Sequence, residues 1–170
     1  MTDHFARLGQ PRRFSIDLVA IEREYLARSR LVHPDLHAAD SQRSHDDSAA
    51  LNAAYQTVTD PFKRAEYYLS LLGGPSARDE KGQDQAFLME MMDLRERFES
   101  VAGNVAEIAK AEADLEERLN QVQNQVSLLF AKIEMASTAT PADLLAIRKQ
   151  LNAAKTLQSL HRGLSDPRID

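Results

Sequence analysis

Apolar side chains return every three or four positions along almost the whole chain, and short polar clusters interrupt them. That is the period of an α-helix with one buried face. A single helical turn is expected over residues 3–8, carrying Phe5 and Leu8 and closed by Gly9 and Pro11. The first long helix starts near Asp17, an N-cap preceded by the apolar Ile16, and runs to about Val32. Leu18, Ile21, Tyr25 and Val32 mark its inner face, while Arg23, Arg28 and Arg30 fall mostly elsewhere. A polar stretch covers 33–47. Leu51, Ala54, Tyr55 and Val58 then mark a helix over about 44–59. Asp60-Pro61 supplies an N-cap with proline at the first helical position. Phe62, Ala65, Tyr68, Leu69 and Leu72 carry the next helix as far as Gly73-Gly74-Pro75.

Residues 75–83 are small, charged or flexible, which places a linker there between a first domain over 1–74 and a second over 84–170. The second part predicts three helices. Phe87, Met91, Leu94, Phe98 and Val101 alternate at spacings of four and three. The longest helix, about 105–136, repeats Leu115, Leu119, Val122, Val126, Leu129, Ile133 and Ala136 in the same rhythm, a heptad seam. Thr140-Pro141 opens the last helix, with Leu144, Ile147, Leu151, Ala154 and Leu157 inward. Three such helices joined by short turns form an antiparallel bundle. The fold class expected is all-α.

Composition narrows the functional classes. The formal net charge is −5, and neither part is basic: the first 74 residues carry 9 Lys+Arg against 10 Asp+Glu, the remainder 12 against 16. A nucleic-acid surface is not expected. With no cysteine there is no disulfide, thiolate metal site or thiol nucleophile. No apolar run approaches the ~18–20 residues of a membrane span. Met1-Thr2-Asp3-His4-Phe5 has neither the basic start nor the apolar stretch of a signal peptide. A soluble protein of a reducing compartment is the expectation.

The most specific chemistry is His33-Pro34-Asp35, just past the first long helix. Pro34 has no N–H and pushes His33 out of the α region, so the helix ends there. An imidazole and a carboxylate are then held close together on a stiff loop, an arrangement suited to recognition by a partner. About twenty residues later comes Leu51-Asn52-Ala53-Ala54-Tyr55-Gln56-Thr57-Val58-Thr59-Asp60-Pro61-Phe62-Lys63-Arg64-Ala65-Glu66-Tyr67. This setting resembles the J-domain of DnaJ-type co-chaperones, as does the opening Phe5-x-x-Leu8-Gly9. The stretch Arg64-Ala65-Glu66-Tyr67-Tyr68-Leu69-Ser70-Leu71-Leu72-Gly73, followed by Phe87-Leu88-Met89-Glu90-Met91-Met92-Asp93-Leu94-Arg95-Glu96, is similar to the HscB family of J-type co-chaperones. Leu36 follows the tripeptide where many J-domains have lysine, and Arg28 stands where many have an apolar residue. No Cys-x-x-Cys pair precedes the J-domain, so the resemblance is to the bacterial, cytoplasmic form.

The resemblance implies an L-shaped protein of a J-domain and a C-terminal three-helix bundle. It implies docking on a DnaK-like, HscA-type heat-shock ATPase whose hydrolysis is accelerated, and an IscU-type iron–sulfur scaffold protein held by the bundle. It implies no covalent chemistry and no cofactor. Asp35 would accept charge-assisted hydrogen bonds from a partner arginine, with His33 and Pro34 beside it, and Arg23, Arg28 and Arg30 would steer association. On the 84–101 helix, Leu88, Met89 and Met92 fall off the core seam beside Asp93 and Glu96. An apolar patch rimmed by carboxylates is a partner surface, and the resemblance assigns these five to the scaffold. The family also contributes an aromatic residue from the last helix; the nearest positions here, Asn152 and Ala153, are not aromatic.

Blander readings compete with these. Leu88, Met89 and Met92 could pack on the first domain or the linker. His33, Asp35 and His37 can also be read as metal ligands, but a spacing of two is poor for a helix, Pro34 breaks one, and no histidine–carboxylate set elsewhere completes the site. No glycine-rich phosphate loop or Ser-His-Asp order appears. The alternative function is a helical interaction protein in which the His-Pro-Asp loop is incidental.

Overall fold

The computed structural model describes residues 3–32, 41–100 and 104–165. Seven helices account for the regular structure of those residues: α1 (His4–Arg7), α2 (Leu18–Leu31), α3 (Ser41–Thr59), α4 (Pro61–Leu71), α5 (Gln85–Ser100), α6 (Val105–Ala136) and α7 (Pro141–Ser165). The chain divides into two units, Met1–Leu71 and Leu72–Asp170. None of the described helices is long and apolar enough to cross a membrane.

In the first unit the helix starts follow the capping residues. Asp17 accepts from the Val19 and Ala20 N–H groups and Asp60 from those of Phe62 and Lys63. α3 begins at Ser41, three residues ahead of the expected start. Phe5, Leu8, Ile21, Leu51, Ala54, Val58, Ala65 and Leu69 are buried together. Tyr25 stacks on Tyr55 at 4.1 Å between centroids and donates its hydroxyl to Asn52 at 2.8 Å, joining α2 to α3. Leu18, expected on the inner face of α2, is exposed. Three residues turn a helix through about 300°, so Leu18 lies about 60° away from Ile21, at the edge of the buried stripe.

Among the described residues of this unit, Arg64 is the buried charge. Its Nη1 donates to the Val58 carbonyl at 2.6 Å and the Thr59 carbonyl at 3.4 Å, and its guanidinium lies 4.9 Å from the centroid of the Phe14 ring. Those carbonyls belong to the last turn of α3, which has no helical donors of its own. A cation there also meets the negative end of the helix dipole. Burial lowers the arginine's pKa, and Asp60 opposes that shift.

In the second unit, Met91, Leu94 and Phe98 of α5 pack with Ala111 and Leu115 of α6 and Leu157 of α7. α5 has 16 residues against 32 in α6 and 25 in α7, so it lies along only part of them. Leu115, Val126 and Ile133 of the expected α6 seam are buried, but Ala136 is exposed and Phe130, outside the seam, is completely buried. An untwisted helix drifts about 20° per heptad from a 3.5-residue repeat, which brings position 130 inward. All five expected inner positions of α7 are buried.

Ser137, at a left-handed φ of 53°, ends α6. Thr140 and Asp143 then cap α7 reciprocally. The Asp143 carboxylate accepts from the Thr140 hydroxyl at 2.6 Å, and the Asp143 N–H donates to the Thr140 hydroxyl at 3.2 Å. Lys132 of α6 donates to the same carboxylate at 2.7 Å. The lysine and Thr140 hydrogen bonds lower the Asp143 pKa to about 2. The stretch expected as a linker is tied to α7: Asn152 Nδ2 donates to the Glu80 carbonyl at 3.0 Å, and Gln83 Nε2 to the Thr156 hydroxyl at 2.9 Å.

Candidate functional site

His33, Pro34 and Asp35 lie outside the described residues. The residue they follow is fixed on two sides. Val32 caps α2, its N–H donating to the Arg28 carbonyl at 3.1 Å. Its own carbonyl accepts from the Ser44 hydroxyl at 2.6 Å and the Ser48 hydroxyl at 2.9 Å. Both serines stand on α3, one turn apart on the same side. The end of α2 is thereby bonded to the beginning of α3. The clamp leaves no mark in the sequence, because a serine in a polar segment reads as solvated until a carbonyl is brought to it.

The three arginines of α2 separate. Arg23 and Arg30 are exposed. Arg28 is half-buried and turns toward α1: its Nη1 donates to the Arg7 carbonyl at 3.0 Å and its Nε lies 3.5 Å from the Glu24 carboxylate. Gly9 has φ +65°, and a Cβ there would come within 2.6 Å of Arg28 Nη2. The guanidinium thus occupies the space left by the missing side chain, in a turn that only glycine adopts cheaply. Arg23 and Arg30 share their face with Val19 and Leu26, which are also exposed. The signal for this apolar half of the face was in the sequence: Val19 and Leu26 are seven residues apart and lie off the line of Ile21 and Tyr25.

On α5 the two stripes are distinct. Met91, Leu94 and Phe98 are buried, whereas Leu88 is 45%, Met89 62% and Met92 64% exposed. Asp93 and Glu96 are exposed beside them. At the helix edge Glu90 pairs with Arg118 of α6, and Arg95 pairs with Glu99 at 3.1 Å. The result is a thioether-rich apolar face with a carboxylate rim. Asn152 of α7 adds nothing to an outer surface, being buried and bonded to the Glu80 carbonyl and to Arg148 Nε at 3.0 Å. Among the described residues, no three His, Asp or Glu side chains gather as metal ligands would.

Two protein-family models match the chain. The DnaJ domain covers residues 3–68, and the HSCB C-terminal oligomerisation domain covers residues 83–162. Among solved structures, the chaperone HscB from Vibrio cholerae is similar at 28% identity and a TM-score of 0.79, covering 96% of this chain and 95% of its own. A crystal structure of the human co-chaperone protein HscB superposes with a TM-score of 0.82 at 24% identity, covering 98% of this chain and 82% of its own, and bears on the fold alone.

Proposed function

Because the chain belongs to the HscB family of J-domain co-chaperones, we propose that it stimulates the ATPase of a DnaK-like, HscA-type chaperone and delivers to it an IscU-type iron–sulfur scaffold protein. The work done is on the partner's nucleotide; this chain makes and breaks no covalent bond. The observation that carries the reading is the doubly bonded Val32 carbonyl. It gives the His33-Pro34-Asp35 loop a fixed point of departure, so that less freedom is lost when a partner grips it.

In this reading Asp35 accepts charge-assisted hydrogen bonds from an arginine of the ATPase, His33 donates or accepts beside it, and Pro34 stiffens the loop. Arg23 and Arg30 meet an acidic face of the same partner and chiefly raise the association rate. Arg28 acts as the strut that holds α1 against α2. The scaffold protein, with or without its cluster as cargo, covers Leu88, Met89 and Met92, and Asp93 and Glu96 pair with its basic groups. Methionine suits such a surface because its unbranched thioether adapts to the partner. The action is set in a bacterial-type cytoplasm.

The test is steady-state ATP turnover by an HscA-type chaperone with and without this chain. The wild-type chain is expected to raise turnover, and Asp35→Asn to abolish the effect while keeping its helical circular dichroism. A folded Asp35→Asn variant that stimulates normally would refute the assignment.

A further inference from the structure

The outer side of α2 carries a ridge of which only half is cationic. Val19, Arg23, Leu26 and Arg30 follow one another at spacings of four, three and four. At about 100° per residue they fall within about 60° of arc, opposite the buried Ile21. Val19 is 77% and Leu26 48% exposed, and both arginines are exposed. Arg28 and Arg7 are held by Glu24 and Asp47. Among the described residues no ion pair engages Arg23 or Arg30. An ordinary solvated helix face mixes charges of both signs. This ridge alternates apolar and cationic side chains, with Glu22 only at its flank.

We infer that Val19 and Leu26 form a second contact with the ATPase chaperone and set how long the complex lasts, while Arg23 and Arg30 set how fast it forms. The inference rests on the reading of His33-Pro34-Asp35 as the loop that the ATPase grips. Continuity and charge name the occupant. Arg30 precedes His33 by three residues, and Val32 caps the helix directly before the loop. A partner that holds the loop therefore reaches the C-terminal end of the ridge first, and Val19 lies about 16 Å further along the helix. Two cations with no carboxylate on the ridge call for an acidic surface, and the apolar pair calls for an apolar patch within it. A second copy does not fit, because a two-fold pairing of this ridge gathers four arginines and no carboxylate. An anionic lipid surface repels a chain of net charge −5. Charges act at a distance and chiefly raise the association rate. Apolar contacts act only once water is expelled, and so chiefly slow dissociation.

Binding kinetics of the full chain with an HscA-type chaperone, at low and high salt, test it. Val19→Thr/Leu26→Gln keeps the bulk and removes the apolar surface. Its dissociation is expected to be at least about tenfold faster than wild type at both salt concentrations, with the association rate and its salt dependence unchanged. Val19→Ile/Leu26→Met keeps an apolar surface and is expected to dissociate as slowly as wild type. Both positions are exposed, so both variants should keep the wild-type circular dichroism. A polar variant that dissociates at the wild-type rate, or an apolar variant that dissociates as fast as the polar one, would overturn the inference. Co-sedimentation of the chain with phosphatidylglycerol vesicles that the polar variant loses, with its dissociation from the ATPase unchanged, would overturn it in favour of a lipid surface. A wild-type chain that does not bind the ATPase overturns the ATPase reading and this inference together. Wild-type binding and stimulation, with unchanged dissociation of the polar variant, overturns this inference alone.

Discussion

The Ser44 hydroxyl donates a 2.6 Å hydrogen bond to the Val32 carbonyl, joining α3 to the last residue before His33. Ser48 adds a second bond to the same oxygen at 2.9 Å. Removing both serines leaves a part-buried carbonyl without these donors. Ser44→Ala/Ser48→Ala is expected to cost about 1–3 kcal/mol in urea unfolding. It should also lower ATPase stimulation although His33, Pro34 and Asp35 are intact. Full stimulation by the double variant would show that loop presentation does not depend on the clamp.

Arg64 bonds the open end of α3 from within the first unit. Arg64→Leu keeps the bulk and loses the donors, and two carbonyls of the last turn are left unpaired. The expected loss is about 2–3 kcal/mol, read from chemical denaturation. A change below about 0.5 kcal/mol would place the capping of α3 elsewhere.

The arginines of α2 are expected to differ in kind. Arg23→Ala/Arg30→Ala should leave the melting temperature unchanged and slow association with the ATPase, with a weaker dependence on salt. Arg28→Ala should instead destabilise the first unit, by about 1–2 kcal/mol, because it empties the space beside Gly9 and frees the Arg7 carbonyl. Equal effects of the two variants on binding kinetics and melting would contradict this division.

Alanine at Leu88, Met89 and Met92 together is expected to weaken IscU-type scaffold binding at least about tenfold in calorimetry, given that exposed apolar anchors contribute on the order of 1 kcal/mol each. ATPase stimulation in the absence of scaffold should be preserved. Unchanged affinity would remove the α5 face from the interface.

Asp143 makes stability depend on acid. Its folded pKa of about 2 lies below the ordinary 3.8, so the ionised form favours the native state. Its contribution is whole above about pH 4 and is lost as pH falls from there through about 2. Asp143→Asn should unfold more readily than wild type at pH 5, and the difference should shrink steadily toward pH 2. A constant difference between the two unfolding midpoints across that range would exclude this carboxylate as the source.

The local order of this protein was legible in its residues. Capping aspartates, Pro61 at a helix start, and apolar spacings of three and four set helix starts and inner faces, because those signals act over one or two turns. The second stripe on α5 was legible for the same reason: Leu88, Met89 and Met92 cannot share an angular sector with Met91, Leu94 and Phe98. Tertiary structure decided which polar groups meet. The serines on Val32, the guanidinium of Arg28 over Gly9, Asn152 on Glu80, and Lys132 on Asp143 each pair residues that no short-range pattern links. So did the burial of Phe130 and the exposure of Leu18, since a stripe's edge is settled by the neighbour that covers it.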